Sequence, residues 1–248
     1  MLADHFAIKS GINNKIPNQN NAMVTNKSTL FAPRTLLIVW LLSGLCWVFL
    51  KLAMVITAGE TFEIDSTIMY ALRSSADLSD PVGPTWLEEI MRDSTALGSN
   101  WLLVVITFVV ACYLLLIDRK RMALFLLVAI ISGILVSFAL KFGFSRPRPE
   151  LVPHHTRIYT SSFPSGHAMM SAVTYLTLAG LLAQVQKRRA IKALVFFVAL
   201  FTMVLVGASR VYLGVHWPSD VVAGWCAGAF WAMMCFHIAK YFRLRRAD

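Results

Sequence analysis

The chain alternates between long apolar runs and short polar breaks. Six runs approach the roughly 20 residues that a helix needs to cross the hydrocarbon of a bilayer. They are Thr35–Thr57, Trp101–Ile117, Met122–Leu140, Ala168–Gln184, Ile191–Ala208 and Val221–Tyr241. In lipid every backbone polar group must be satisfied within its own segment, so each run predicts a helix. The expected architecture is all-α, a six-transmembrane helical bundle. The break between the first two runs, Ala58–Asn100, has a pattern of its own. Ile64, Ile68, Met69 and Leu72 recur at helical spacing. After Pro81 and Pro84, Thr85 and Glu88 form a capping-box pattern ahead of Trp86, Leu87, Ile90 and Met91. Two short amphipathic helices on the outer membrane surface are expected here, with Trp86 at headgroup depth. They would either shield the bundle or shape access to it. Residues 1–33 are polar and Asn-rich and read as a disordered cytoplasmic tail, with Met23 as a second candidate start. Residues 34–248 read as one six-span domain. No cleavable signal peptide is visible, because the first apolar run comes late and is long enough to stay as an anchor.

Composition agrees with the pattern: 57% of the 248 residues are hydrophobic, more than a soluble domain of this length carries. The net charge of +10 raises the question of nucleic acid. The basic residues answer it, because they cluster in short breaks rather than on a stripe. Arg34, the Asp118-Arg119-Lys120-Arg121 turn, Lys187-Arg188-Arg189 and Arg243, Arg245 and Arg246 all fall on one side of a six-span arrangement. By the positive-inside rule that side is cytoplasmic, together with both termini. The Ala58–Asn100 segment, with Glu60, Glu63, Asp65, Asp77, Asp80, Glu88, Glu89 and Asp93 against Arg73 and Arg92, falls outside. Membrane lipids are the implied partners, and no nucleic acid is. Lys51, near the outer end of the first run, reads as a snorkelling anchor. Cys46, Cys112, Cys226 and Cys235 lie in apolar runs without metal-ligand spacing and read as small buried hydrophobes.

The candidate chemistry centres on Phe163-Pro164-Ser165-Gly166-His167, at the start of the fourth run. A hydroxyl, a glycine and the first free N–H groups of a helix together suit an anion. Alone, Ser-Gly before a helix is a plain cap and a lone His is structural. The flanking segments change that reading. The stretch Lys141-Phe-Gly-Phe-Ser-Arg146-Pro147-Arg148-Pro149, continuing through His154, His155 and Arg157, puts cations on the face where positive charge is otherwise scarce. Such a set beside a helix N-terminus describes an anion cradle. The fifth run ends at Ser209-Arg210, and Val211-Tyr-Leu-Gly-Val-His216-Trp-Pro-Ser-Asp220 follows. Pro218 suits a first helical turn. His216 and Asp220, four apart, share a face if that turn is helical, and the carboxylate can then fix the imidazole tautomer and leave the other nitrogen free to attack.

These segments resemble the signature of the type 2 phosphatidic acid phosphatase superfamily: Lys141, six residues, Arg148-Pro149; Pro164-Ser165-Gly166-His167; and Ser209-Arg210, five residues, His216, three residues, Asp220. Arg146-Pro147 is a near-duplicate, but only Arg148-Pro149 has the family spacing. The resemblance implies that Lys141, Arg148 and Arg210 hold the phosphate oxygens, with Ser165 and the Gly166 N–H completing the cradle. It implies His216 as nucleophile, forming a phosphohistidine, Asp220 as its orienter, and His167 as the proton donor that later helps water attack. Phosphoryl transfer asks mainly for positioning and positive charge, which three cations and a helix N-terminus supply. No carboxylate cluster suits Mg²⁺, so no metal and no cofactor is expected.

The expected activity is a metal-independent lipid phosphate or pyrophosphate phosphatase of the bacterial inner membrane, its site facing the periplasm or outside. The resemblance suggests phosphatidylglycerophosphate, phosphatidic acid, diacylglycerol pyrophosphate and undecaprenyl pyrophosphate as candidate substrates. A phosphotransferase using an isoprenoid pyrophosphate donor would use the same residues, with an acceptor hydroxyl replacing water. A vanadate-dependent haloperoxidase shares the cradle but is not built around six spans. A non-enzymatic anion transporter would place charge or broken helices near the bilayer midplane, and little charge lies deep in these runs. Oligomeric state is left open. The topology is testable by cysteine labelling at Thr156 and Arg188: the two should react from opposite sides of the membrane, and reaction from the same side contradicts the six-span plan.

Overall fold

The computed structural model describes residues 33–60, 62–150 and 161–245. The tail expected at 1–33 therefore lies outside the described residues, except for Pro33, which opens a helix. His154, His155, Thr156, Arg157 and Arg246 lie outside them too, and of Arg34, Arg243 and Arg245 only the backbone is described. The described residues form eight helices and no strand. They are α1 (Pro33–Thr57), α2 (Glu63–Ala71), α3 (Thr85–Ala96), α4 (Asn100–Leu116), α5 (Lys120–Phe142), α6 (Gly166–Val185), α7 (Arg189–Tyr212) and α8 (Pro218–Arg245). The chain separates into two compact units, Met1–Leu41 and Leu42–Asp248; in the first, only the opening turns of α1 are described.

Five helices are long and apolar enough to cross a membrane: α1, α5, α6, α7 and α8. The remaining run, Trp101–Ile117, forms α4 and its cap. At 17 residues, α4 is only about 26 Å long at 1.5 Å per residue, short of a bilayer's roughly 30 Å of hydrocarbon. It qualifies as a sixth span only when joined to α3, from which it is bent by 52°. The bend falls at Leu97-Gly98-Ser99. There the Ser99 hydroxyl accepts from Leu102 N and starts a new helix instead of continuing the old one.

Short helices do occupy both stretches singled out between α1 and α4, but with different faces inward. In α2 it is Asp65 and Met69 that are buried, while Ile64 is 61% exposed. The capping box at the start of α3 does not form. Pro84 holds the N-cap position without a side-chain cap, Thr85 is already helical, and Glu88 pairs with Arg92 instead.

Helix α6 is the axis of the second unit. Over half of its hydrophobic window is buried, more than in any other span, and it packs most extensively against α7 and α8. Its buried positions are mostly small: Ala168, Ser171, Ala172, Thr174, Thr177 and Ala179. Small residues let backbones approach where lipid offers no hydrophobic driving force between helices. On α8, Gly224 and Gly228 meet this surface. A Cβ at Gly224 would sit 2.7 Å from Ser165 O and 2.9 Å from Ala168 Cβ. On the other flank Leu103, Leu126, Ile130, Met170 and Val173 join α4, α5 and α6 in one apolar core. Cys46, Cys112, Cys226 and Cys235 are all free thiols.

The connections return α5, α6, α7 and α8 antiparallel, so Lys141, Gly166, Arg210 and Pro218 all come to one end of the bundle. Asp118 turns the α4–α5 corner at φ 56°. Gly214, at φ 73°, allows the tight reversal after α7 that a side chain would strain.

The closeness of α6 and α8 is measurable. Gly224→Ala should lower the thermal midpoint in detergent, by the roughly 1–3 kcal/mol typical of overpacking. Gly44→Ala on α1, where an added Cβ meets nothing within 4 Å, should be neutral or stabilising. Equal midpoints for the two variants would contradict the tight contact.

Candidate active site

Three backbone links assemble the site at the α6 N-terminus. Ser165 N donates to Asp220 O at 3.0 Å and so joins the start of α6 to the first turn of α8. Ser162 N donates to Arg146 O at 3.0 Å, which ties the segment after α5 to the segment before α6. Val215 N donates to Arg210 O at 3.1 Å and closes the turn after α7. Beneath them Phe163, wholly buried, stacks on Phe49 of α1 and meets Phe144 edge-on. The Phe163-Pro164 bond is cis.

These links bring together six of the eight residues singled out from the sequence. Lys141, Arg148, Gly166, His167, Arg210 and His216 line one cavity of about 280 Å³. Its remaining wall is Asn100, Ile134, Ser137, Phe138 and Met170. Asp220 lies behind His216, fully buried. Ser165 does not line the cavity: it is the N-cap of α6, wholly buried, its hydroxyl accepting from Ala168 N at 3.5 Å. Gly166 leaves room for the lysine, because a Cβ there would sit 3.2 Å from Lys141 Cε and the side chain would have to yield. Lys51 does not line the cavity either.

The His216–Asp220 pair forms, although His216 sits in the turn and not in the helix. Its Nδ1 lies 3.4 Å from Asp220 Oδ2, and Arg148 NH1 lies 3.2 Å from its Nε2. A guanidinium N–H can only donate, so Nε2 is the acceptor and Nδ1 carries the hydrogen toward the carboxylate. Nε2 therefore holds the lone pair, which here accepts from Arg148. Burial pushes the His216 pKa down to about 4, with Arg148 and Arg210 adding to the shift and Asp220 opposing it. The imidazole is thus neutral at physiological pH, as a nucleophile must be. Burial also draws the Arg148 guanidinium below its usual value, opposed by Asp220; arginine stays charged regardless.

The cations are held from behind. Arg148 NH1 donates to Val215 O at 2.9 Å, Arg210 NH1 to Thr95 Oγ1 at 3.1 Å, and Lys141 Nζ to Ser161 O at 3.4 Å. Arg148 Nε and Arg210 Nε are buried donors with no hydrogen-bond partner among the described residues. Two unmatched guanidinium donors beside a lysine make a site whose polar groups an oxyanion can satisfy.

Sequence reasoning passed over several residues here. Arg146, set aside as a near-duplicate of Arg148, is buried and donates to Asp220 Oδ1 at 2.5 Å. Asp65, counted among the surface acids, is 1% exposed and pairs with Arg146 at 2.7 Å. Ser162 donates to Asp220 Oδ2 at 2.5 Å, and Ser219 links Asp65 to Arg146. For Asp65 a signal existed. It shares a helical face with Met69 and Leu72 (i, i+4, i+7), and an acid on an apolar stripe needs a buried partner.

Comparison with known proteins agrees with this geometry. Residues 122–244 match the PAP2 superfamily. The chain is 32% identical over 163 residues to phosphatidylglycerophosphatase B of Bacillus subtilis (strain 168), spanning 63% of this chain and 75% of that protein. It is 31% identical over 138 residues to undecaprenyl-diphosphatase of Sulfolobus acidocaldarius, spanning 52% of this chain and 61% of that one. The fold resembles the crystal structure of the transmembrane PAP2 type phosphatidylglycerolphosphate phosphatase from Bacillus subtilis, with TM-score 0.68, 28% identity, and 79% and 96% of the two chains covered. It also resembles Aquifex aeolicus LpxE, with TM-score 0.52, 26% identity, and 71% and 96% covered. With these relatives and a histidine–carboxylate pair facing a cation cradle at the ends of apolar helices, the chain belongs to the PAP2 superfamily of membrane lipid phosphatases.

Proposed function

We propose that the protein hydrolyses lipid phosphates or pyrophosphates at the outer membrane face, without a metal, through a phosphohistidine on His216. One observation carries the reading: His216, with Asp220 at its Nδ1 and its Nε2 accepting from Arg148, shares one cavity with Lys141, Arg148, His167 and Arg210. The apolar wall of Ile134, Phe138 and Met170 favours a lipid over a small soluble ester. The names of the relatives make phosphatidylglycerophosphate and undecaprenyl pyrophosphate the leading substrates. Among the described residues no group of three His, Cys, Asp or Glu side chains converges as a metal site would, and the cradle's positive charge comes from side chains. The outward orientation is supported by Arg119, Lys120 and Arg121 and by Lys187, Arg188 and Arg189, which lie at the bundle end opposite the cavity.

In this mechanism Lys141, Arg148, Arg210 and the Gly166 N–H hold the nonbridging oxygens. Nε2 of His216 attacks phosphorus as the bond to the leaving oxygen breaks, and His167 passes its proton to that oxygen. Asp220 balances the positive charge that grows on the His216 ring. Water then attacks phosphorus and gives a proton to His167, and the P–N electron pair returns to Nε2. Catalysis is mostly positioning and electrostatic stabilisation, in a site already arranged for both.

The cradle is tested by Arg148→Lys and Arg210→Lys, each expected to reduce turnover by about 100-fold or more, because a point charge cannot reproduce a planar fork on phosphate. Orthovanadate should inhibit the wild type and chelators should not. A strict requirement for Mg²⁺ contradicts the metal-free reading.

The histidines are separated by leaving-group dependence. General acid help is worth roughly 100- to 10,000-fold, and only when the departing oxygen is basic. His167→Ala should therefore cripple hydrolysis of a lipid monoester while leaving a phosphoenzyme burst from p-nitrophenyl phosphate. His216→Ala should lose both. A phosphoenzyme in His216→Ala, seen by rapid quench, would refute the assignment.

A further inference from the structure

Asp220 is held by more than its histidine. Its Oδ1 accepts from Arg146 NH1 at 2.5 Å, and its Oδ2 accepts from Ser162 Oγ at 2.5 Å and Trp217 N at 3.0 Å, besides facing His216 Nδ1. Arg146 is only 8% exposed, and its guanidinium lies 5.5 Å from the centre of the Trp217 ring. Its second nitrogen, NH2, donates to Asp65 Oδ2 at 2.7 Å. Asp65 in turn accepts from Ser219 N at 2.8 Å, at the first turn of α8, and from the Ser219 hydroxyl. Three buried charges thus alternate in sign: Asp65, Arg146, Asp220. They connect the short helix α2 to the back of the nucleophile, across 81 residues between Asp65 and Arg146.

The order of charges matters. A carboxylate behind the imidazole is useful because it balances the positive charge that appears on the ring as Nε2 bonds to phosphorus. An arginine pressed on that carboxylate alone would cancel the benefit. With Asp65 on the far side of the arginine, the three groups carry one net negative charge, and the forked guanidinium still fixes Asp220 so that Oδ2 faces Nδ1. A single buried arginine facing two carboxylates supplies both orientation and balance.

We propose that Asp65 and Arg146 are positioning residues for the His216–Asp220 pair, Arg146 by orienting Asp220 and Asp65 by restoring the negative charge that Arg146 would otherwise cancel. The inference rests on the phosphohistidine reading above. Neither residue touches the cavity; both act through Asp220.

The charges around His216 come from every neighbouring segment. Arg148 lies at its Nε2, while Lys141 of α5, His167 of α6 and Arg210 of α7 share the cavity, and Asp220 of α8 lies behind. Asp65 and Arg146 add to this set through Asp220. His216 attacks only when neutral, so the acid limb of phosphoenzyme formation reports its protonation. Asp65→Asn removes a negative charge, disfavours the proton and should move that limb to lower pH. Arg146→Gln removes a positive charge, favours the proton and should move it to higher pH. The double variant keeps the original net charge and should return the limb toward the wild-type position.

The experiment is rapid-quench measurement of the phosphoenzyme burst from p-nitrophenyl phosphate across pH, on full-length protein in detergent, for the wild type, both single variants and the double. The substrate's own titration is common to all four, so differences belong to the protein. Each single variant should also lose about 10- to 100-fold in burst rate, the scale known for removing the outer partner of a metal-bound histidine. Opposite shifts that cancel in the double variant support the proposal. Limbs that stay put, or that move the same way in both single variants, overturn it and reduce the cluster to structural support. If one single variant is lost to aggregation, the other decides together with the double. A shift in the surviving single variant, in its stated direction, that disappears in the double supports the proposal. An unmoved or opposite limb in that single variant rejects it. A wild type that forms no phosphoenzyme defeats the phosphohistidine reading and this inference with it, whereas an active wild type with unmoved limbs in the variants defeats this inference alone.

Discussion

The site depends on how closely the backbones of α6 and α8 approach. Gly224 and Gly228 on α8 face Ser165, Ala168, Met169 and Ala172 with no side chain between. At that separation the amide of Ser165 reaches the carbonyl of Asp220. The N-terminus of one helix and the first turn of the other are thereby locked together, and with them the two segments that carry His167 and His216. Larger residues at these glycines would still give apolar helices and a bundle. They would part the two halves of the site by the width of a methyl group or more, and phosphoryl transfer tolerates little misplacement.

The electrostatic arrangement has a front and a back. In front of His216 stand Lys141, Arg148 and Arg210, with two guanidinium donors still unmatched. Behind it stands Asp220, backed by Arg146 and Asp65. The imidazole lies between a cationic face, which suits an anionic substrate and disfavours a proton on the ring, and an anionic one, which suits the positive charge that a new N–P bond would create. Burial strengthens both fields by lowering the local dielectric. It also makes every unpaired charge costly, so the cations are braced by Val215, Thr95 and Ser161 and the carboxylate by four donors.

The short helix α2 illustrates how a segment outside the spans can matter. Its acid enters the protein on the same face as Met69, which is wholly buried. Of the four apolar positions that suggested a surface-lying helix, Met69 and Leu72 pack inward while Ile64 and Ile68 are exposed. The inward face thus carries an acid beside apolar residues, and the acid is matched by Arg146 and Ser219.

The sequence by itself determined the all-helical membrane class and five of the spans, and it singled out the residues that meet around the cavity. Apolar runs of about 20 residues leave the backbone no other structure in lipid, and Lys141, Arg148, Gly166, His167, Arg210, His216 and Asp220 stand at spacings that antiparallel helices of such length bring to one end. The tertiary structure decided what depends on neighbours distant in the chain. The run at 101–117 is a short helix bent against α3, because a serine cap at Ser99 competes with helix continuation. Thr85 is not a cap, because proline takes that position. Ser165 caps α6, while Arg146, the apparent duplicate, joins Asp65 to Asp220. Arg146 and Arg148, two residues apart in a segment without regular secondary structure, face different surroundings, and only the packing of α2 and α8 around them shows which one meets the cavity and which one meets the carboxylates.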